Sequence, residues 1–201
     1  QAVIGLALAI GLFVALPHLV SAQLPTADRL AISGFEGVFR LLVFIAFLWF
    51  VGQSKEAQRI FAYHGAEHKT IHCYENEEEL TVENIRKYST KHPRCGTSFM
   101  FLVMIISVLV FSFLGWHSIW INILSRILLI PLVAGVSYEI LKFAGRSEWK
   151  IMKVINAPGL LFQMLTTKEP DDGQIEVAIE AFNNVRVDSS NTPADKEADK
   201  W

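Results

Sequence analysis

The segment His64-Gly-Ala-Glu67-His68 has the residue types and the spacing of a metal site. On an α-helix, His64 and His68 lie one turn apart on one face, where both imidazoles can bind the same cation. Glu67 lies close to that face, and a carboxylate beside a metal-bound water can accept its proton. The order H-x-x-E-H is the inverted zincin pattern. The segment therefore predicts a divalent metal site, with zinc as the expected cofactor and Glu67 as general base.

Three other residues are candidates for the third ligand of this site. His92 and Cys95 are zinc-ligand types, and they lie in a turn that Pro93 and Gly96 rigidify just before an apolar run. Glu139 lies near the end of the last apolar segment, and a carboxylate within a membrane is a functional candidate. We expect the third ligand to be His92, Cys95 or Glu139, in that order.

The same residues allow other roles. The two histidines of the motif can be hydrogen-bonding residues at a membrane surface, and Cys95 can be a nucleophile with His92 as its base. His72 continues the histidine stripe, but we interpret it and Cys73 as structural residues. A site closed by four protein ligands would be structural, whereas a catalytic zinc keeps one position open for water.

The distribution of apolar residues predicts a membrane protein. Of the 201 residues, 52% are hydrophobic and 19% are charged, and the charged share is below the ~25% of ordinary soluble domains. About 20 apolar residues cross a bilayer. The sequence predicts four spans, at about residues 2–20, 34–52, 97–115 and 119–143.

Composition and charge exclude several classes of protein. A net charge of −2 argues against a nucleic-acid binder, and two cysteines cannot form a disulfide scaffold. The first span has no preceding basic region and no initial Met, so we expect an internal start rather than an intact signal peptide. Glu36 and Arg40 can pair across one helical turn, and with Arg126 we expect them to form an ion cluster that holds the bundle together.

The Lys and Arg residues predict the orientation in the membrane. Seven of them lie in residues 53–96 and seven in residues 144–201, whereas the connection at 21–33 holds only Arg29. Cytoplasmic loops are enriched in these residues. We therefore expect a multi-pass protein of the cytoplasmic membrane, with the 53–96 segment and both ends of this chain in the cytoplasm.

The remaining segments predict further helices around these spans. We expect a helix over 55–75, a short helix from Thr81 to about residue 88, and an amphipathic helix over 172–185. Residues 154–165 are too short to span and are interrupted by Pro158, which favours a re-entrant or interfacial segment. The fold class is thus an all-α, polytopic membrane bundle in a single domain, 1–186, followed by a disordered polar tail, 187–201.

Several long motifs resemble the bacterial YqhQ family of multi-pass membrane proteins. The resemblance covers most of the chain and is carried by FEGVFRLLVF at 35–44, FAYHGAEHKTIHCYE at 61–75, HPRCGTSF at 92–99, SYEILKFAGR at 137–146 and NAPGLLFQMLTTKEP at 156–170. It implies a metal-dependent enzyme, and a role in cell-volume control is also suggested for the family. By this resemblance the following residues occupy motif positions of the family: His64, Glu67, His68, His92, Arg94, Cys95, Glu139, Gln163, Thr166, Thr167, Glu169 and Pro170.

Together these features predict a membrane-bound, metal-dependent hydrolase, with peptides near the bilayer as the substrate class. The alternative is a non-enzymatic membrane regulator whose histidines hold a structural metal or sense pH. A transporter is favoured only by the break at Pro158-Gly159. The expected partner is the lipid bilayer, nucleic acid is not expected, and self-association is left open.

Overall fold

The computed structural model describes residues 2–25, 28–114, 119–146 and 150–185, and in these residues the regular structure is helical, without any β-strand. This confirms the expected all-α class. The expected turn at 115–118 and the tail at 187–201 lie outside the described residues. The helices are α1 (Ala2–Ile10), a π-helical turn (Gly11–Ala15), α2 (Leu16–Ser21), α3 (Arg29–Val51), α4 (Lys55–Glu75), α5 (Val82–Arg86), α6 (Gly96–Leu114), α7 (Ile119–Arg146), α8 (Lys150–Thr166) and α9 (Asp172–Val185).

Four helices are long and apolar enough to cross a membrane. They correspond to the four predicted spans and lie at Ala2–Ser21, Leu30–Val51, Gly96–Phe113 and Leu124–Ala144. Their large side chains are mostly exposed in the isolated chain, which is expected where lipid rather than water covers them. The described residues thus have the architecture of a membrane protein.

The described residues divide into two compact units. The first unit comprises residues 2–50 and 100–139, and the second comprises residues 51–99 and 140–185. In the first unit, Gly37 lets α3 approach α6 closely, because a Cβ at this position would overlap the side chain of Val108. The prediction of a single domain over 1–186 stays a prediction.

Glu36 and Arg40 form the ion pair that their spacing predicts. The Arg40 guanidinium also donates a hydrogen bond to the carbonyl of Phe13, at 2.7 Å, which joins α3 to the π-helical turn of the first apolar segment. Glu36 further faces His18 and Ser21, each at 3.5 Å. The structure places Arg126 over the ring of Phe111, 5.8 Å from its centroid.

The second unit is built around α4. This helix begins where predicted because the hydroxyl of Ser54 accepts a hydrogen bond from the amide of Ala57, and it extends to Glu75. Helices α5 and α9 pack against it around the fully buried Ile85 and Ile175. Cys73 lies in this apolar core, where burial raises the pKa of its thiol, so its structural interpretation fits its surroundings.

Helix α8 continues through Pro158, whereas the sequence predicts an interruption there. Gly159 lies against the start of α6, since a Cβ there would come within 2.8 Å of the Ser98 hydroxyl oxygen. The Pro-Gly pair therefore provides a close contact between helices within the second unit. Helix α8 is outside the four candidate spans, in agreement with its predicted shortness.

Candidate metal centre

One face of α4 carries both histidines of the sequence motif. His64 is half-buried, His68 is 3% exposed, and the centroids of their rings lie 4.4 Å apart. The loop that precedes α6 brings Cys95 to the same place. The ligand atoms of these three residues all lie within 4.8 Å of one another. We call this set the Cys95 group.

Backbone carbonyls fix the orientation of both imidazoles in the Cys95 group. Nδ1 of His64 lies 2.9 Å from the carbonyl oxygen of Thr166, and Nδ1 of His68 lies 2.6 Å from that of Thr90. A carbonyl oxygen only accepts hydrogen bonds, so each Nδ1 must carry a proton. Each Nε2 is therefore the atom available to Cys95 or to a metal. Histidines that bind metals typically have this arrangement.

The sulfur of Cys95 is held as a thiolate. Burial alone would raise the pKa of this thiol, but hydrogen bonds from His64, His68 and Thr97 lower the pKa to about 5. Nε2 of His64 is 3.2 Å from Sγ, and this hydrogen bond in turn raises the pKa of His64. The thiolate is the form of cysteine that binds metals and acts as a nucleophile.

Gln163 of α8 holds the loop that presents Cys95. Its side chain is fully buried, and its Oε1 accepts a hydrogen bond from the amide of His92, at 2.8 Å. Its Nε2 donates to the carbonyl of His92 and to the hydroxyl of Ser98, both at 2.7 Å. One buried amide thus fixes the loop on both sides of Cys95.

A close contact between α4 and the segment after α8 supplies the partner of His64. The amide of Lys168 donates to the carbonyl of Phe61, at 2.9 Å, and a Cβ at Gly65 would overlap the carbonyl oxygen of Lys168. Only glycine permits this approach. It brings the carbonyl of Thr166 to Nδ1 of His64. The hydroxyl of Thr166 is buried and has no hydrogen-bond partner in the described part of the chain.

Glu67 and Glu139 lie outside the Cys95 group. Glu67 is exposed on α4, and its negative charge contributes to the raised pKa of His64. Glu139 is exposed on α7 in the first unit and is in neither ligand group of the described residues. The role of Glu139 as a ligand stays a prediction.

His92, the first-ranked candidate for the third ligand, belongs to a neighbouring cluster. His72, Glu75 and His92 have ligand atoms within 4.8 Å of one another, and we call them the His92 group. By the distances between ligand atoms, Cys95 groups with the two motif histidines and His92 does not, although the ring centroids of His92 and His68 lie 5.8 Å apart. The sequence favours a structural role for His72 and does not indicate Glu75 as a ligand.

The spacing of the His and Glu residues along α4 is a sequence signal for the second cluster. His72 follows His68 by one turn, and Glu75 follows His72 by three residues, as Glu67 follows His64. The same H-x-x-E spacing therefore occurs twice on one helix. The second occurrence is hard to recognise because its other ligand comes from a loop.

Comparison with known proteins shows relatives without an assigned function. Residues 1–188 match the family DUF1385, described as "Protein of unknown function". The chain is 40% identical over 151 residues to "Uncharacterized protein YqhQ" of Bacillus subtilis (strain 168), covering 75% of this chain and 48% of that protein. The chain thus spans about half the length of this curated relative. No solved structure matches it.

Proposed function

For this chain, which belongs to the DUF1385 family, we propose the function of a zinc-dependent hydrolase at the cytoplasmic face of the cell membrane. The observation that carries the proposal is the Cys95 group. Two imidazoles have Nδ1 fixed by backbone carbonyls, and both present Nε2 to one buried thiolate. This donor set suits zinc, which prefers nitrogen and sulfur ligands.

The number of ligands favours a catalytic site over a structural one. Structural zinc sites have four protein ligands, whereas catalytic sites have three and an open position. Among the described residues, the Cys95 group has three members. The unpartnered hydroxyl of Thr166 beside it would be satisfied by a water or a bound ligand. When bound, zinc polarises a carbonyl and lowers the pKa of water toward neutrality.

In this proposal Glu67 moves the proton. It follows His64 by one helical turn on α4, and its exposed carboxylate is the proposed acceptor for a proton from water at the site. His64 and His68 bind the ion, and Cys95 balances its charge with a thiolate. The proposed substrate class is a peptide near the membrane surface, because the site lies on the polar helix that follows the second candidate span.

A metal-free cysteine hydrolase is the second candidate, and one contact favours it. His64 and Cys95, with 3.2 Å between Nε2 and Sγ, also have the geometry of a thiolate–imidazolium pair. In that case His64 is the base of Cys95. The sequence alone instead suggests His92 as that base. The requirement for zinc separates the two functions.

The Glu67→Gln variant tests the catalytic proposal. We expect zinc-loaded protein in detergent to cleave members of a peptide library, detected by mass spectrometry. Glu67→Gln should keep its zinc but cleave about 10²–10⁴-fold more slowly, the usual contribution of a general base. The matched control is Glu56→Gln, an exposed carboxylate on the same helix, which should retain full activity.

Three results would contradict the proposal. Equal cleavage by Glu67→Gln and the unaltered protein would remove Glu67 as the base. Cleavage that survives complete zinc removal but is lost in Cys95→Ser would favour the cysteine mechanism. Bound zinc without cleavage of any library peptide would favour the regulator over the peptide hydrolase.

A further inference from the structure

The His92 group is a second cluster of potential metal ligands, one turn along α4 from the Cys95 group. We infer that His72, Glu75 and His92 form a separate site for a divalent transition-metal cation, which binds more weakly than the ion of the Cys95 group. Its three ligand atoms are Nδ1 of His72, a carboxylate oxygen of Glu75 and Nε2 of His92. The inference stands on this cluster's own geometry and does not depend on a hydrolytic activity.

His72 is oriented as a ligand by the loop that faces it. Its Nε2 lies 2.8 Å from the carbonyl oxygen of Lys91, so this nitrogen must donate its proton. The lone pair of the neutral ring is therefore on Nδ1. The ring also stacks on Tyr88, with an angle of 13° between the two planes.

His92 is held in the opposite tautomer, with the proton on the nitrogen that would bind the ion. Its Nδ1 accepts a hydrogen bond from the amide of Arg94, at 3.2 Å, so its proton lies on Nε2. That proton points to Oε2 of Glu75, 3.3 Å away. A tetrahedral ion with bonds of about 2.0–2.1 Å separates its ligand atoms by roughly this distance. For a cation to bind Nε2, His92 must change tautomer: the Nε2 proton leaves to solvent, Nδ1 takes up a proton, and the hydrogen bond from the amide of Arg94 to Nδ1 is given up.

Arg94 makes this site weaker than the Cys95 group. Its guanidinium pairs with Oε1 of Glu75 and leaves Oε2 to the ion, as expected for a ligating carboxylate that is itself hydrogen-bonded. The positive charge nevertheless repels a divalent cation. Glu75 is also partly exposed, with 32% of its side chain accessible, whereas Cys95 is buried. The second ion should therefore exchange readily with solvent.

An ion in the His92 group would tie the ligand loop to α4. His92 and Cys95 lie three residues apart in that loop, and His72 and Glu75 belong to the helix that carries His64 and His68. Binding at the His92 group therefore restrains the segment that presents Cys95. We expect the first ion to be held more tightly when the second is present.

Cobalt titration separates the two sites, because only one of them contains a thiolate. We expect metal-free protein to take up a first Co²⁺ with thiolate-to-metal charge-transfer absorption. A second Co²⁺ should then add d–d absorption without charge transfer. His72→Phe, which keeps an aromatic ring beside Tyr88, and Glu75→Gln, which keeps its size, should each lose the second event and retain the first.

The outcomes distinguish failure of this inference from failure of the proposed function. The inference would be overturned if the unaltered protein were saturated by one Co²⁺. It would also be overturned if the second Co²⁺ still bound to both His72→Phe and Glu75→Gln. A missing charge-transfer band in the unaltered protein would instead count against the Cys95 group. In that case, cobalt binding that shows d–d absorption without charge transfer, and that is lost in His72→Phe, would still support the inference. Glu83→Gln, an exposed carboxylate on α5, should bind cobalt as the unaltered protein does.

Discussion

At the scale of single residues, Cys95 and the two imidazoles beside it determine the chemistry of the centre. A thiol with a pKa of about 5 is ionised at neutral pH and needs no base to become a ligand. The hydrogen bond between His64 and Cys95 stabilises both charged forms, which explains why the pKa of one is raised and that of the other is lowered. The two residues therefore act as a unit.

The pKa of Cys95 should depend on His64. In metal-free protein, thiolate absorption in the ultraviolet should be present above about pH 5 and disappear as the pH falls through this value. His64→Ala removes one of the hydrogen bonds that stabilise the thiolate. The midpoint of the thiolate titration should therefore move upward, toward the pKa of ~8.5 of a free thiol. Subtracting the spectrum of Cys95→Ser isolates this group.

A matched variant shows whether the effect is specific. His72→Ala removes an imidazole of the same helix that lies outside the Cys95 group. It should leave the midpoint near pH 5. An unchanged midpoint in His64→Ala would show that this hydrogen bond does not stabilise the thiolate.

Gln163 should matter for stability as well as for the ligand loop. Gln163→Leu leaves the amide and carbonyl of His92 and the hydroxyl of Ser98 without their buried partner. We expect a loss of roughly 3 kcal/mol in the free energy of unfolding, measured in mixed detergent micelles, together with weaker zinc binding. The exposed Gln58→Leu should change stability by less than about 0.5 kcal/mol. Equal stability of the two variants would contradict this role.

At the scale of elements, α4 could be predicted from the sequence because its signals are local. Ser54 caps its first turn, and the H-x-x-E-H motif fixes the face that carries the ligands. The choice between His92 and Cys95 could not be predicted, because it depends on Gln163, which lies 71 residues beyond His92 in the chain. The second ligand group was missed for the same reason.

The contact between α4 and the segment after α8 should be sensitive to one methyl group. In Gly65→Ala the new Cβ would overlap the carbonyl oxygen of Lys168, so this segment must move and take the carbonyl of Thr166 away from His64. We expect a loss of roughly 1–3 kcal/mol in unfolding free energy and weaker zinc binding. Gly34→Ala adds a methyl group in open space on α3 and should be neutral or slightly stabilising. Tight zinc binding by Gly65→Ala would contradict the positioning role of this contact.

At the scale of the whole molecule, the four predicted spans agree with the structure to within a few residues for most of their ends. Length and hydropathy suffice for this because a bilayer requires about 20 apolar residues per helix. The orientation of the protein in the membrane does not follow from length and hydropathy. It is predicted from the distribution of basic residues alone. The proposed cytoplasmic position of the metal centre depends on it.

Cysteine labelling in intact cells tests this orientation. A cysteine introduced at Glu78, in the segment after α4, should be protected from a membrane-impermeant thiol reagent added outside. A cysteine introduced at Gln23, in the exposed connection after α2, should be labelled. The reverse pattern would place the metal centre on the outer face.

The metal content of the purified protein tests the central claim most directly. Elemental analysis after mild extraction should find about one zinc ion per chain, retained by the Cys95 group, since the ion of the His92 group exchanges with solvent. His68→Ala should lose this zinc, whereas the exposed control Glu83→Gln should keep it. No zinc in the unaltered protein, even after reconstitution with zinc, would contradict a metal centre at His64, His68 and Cys95.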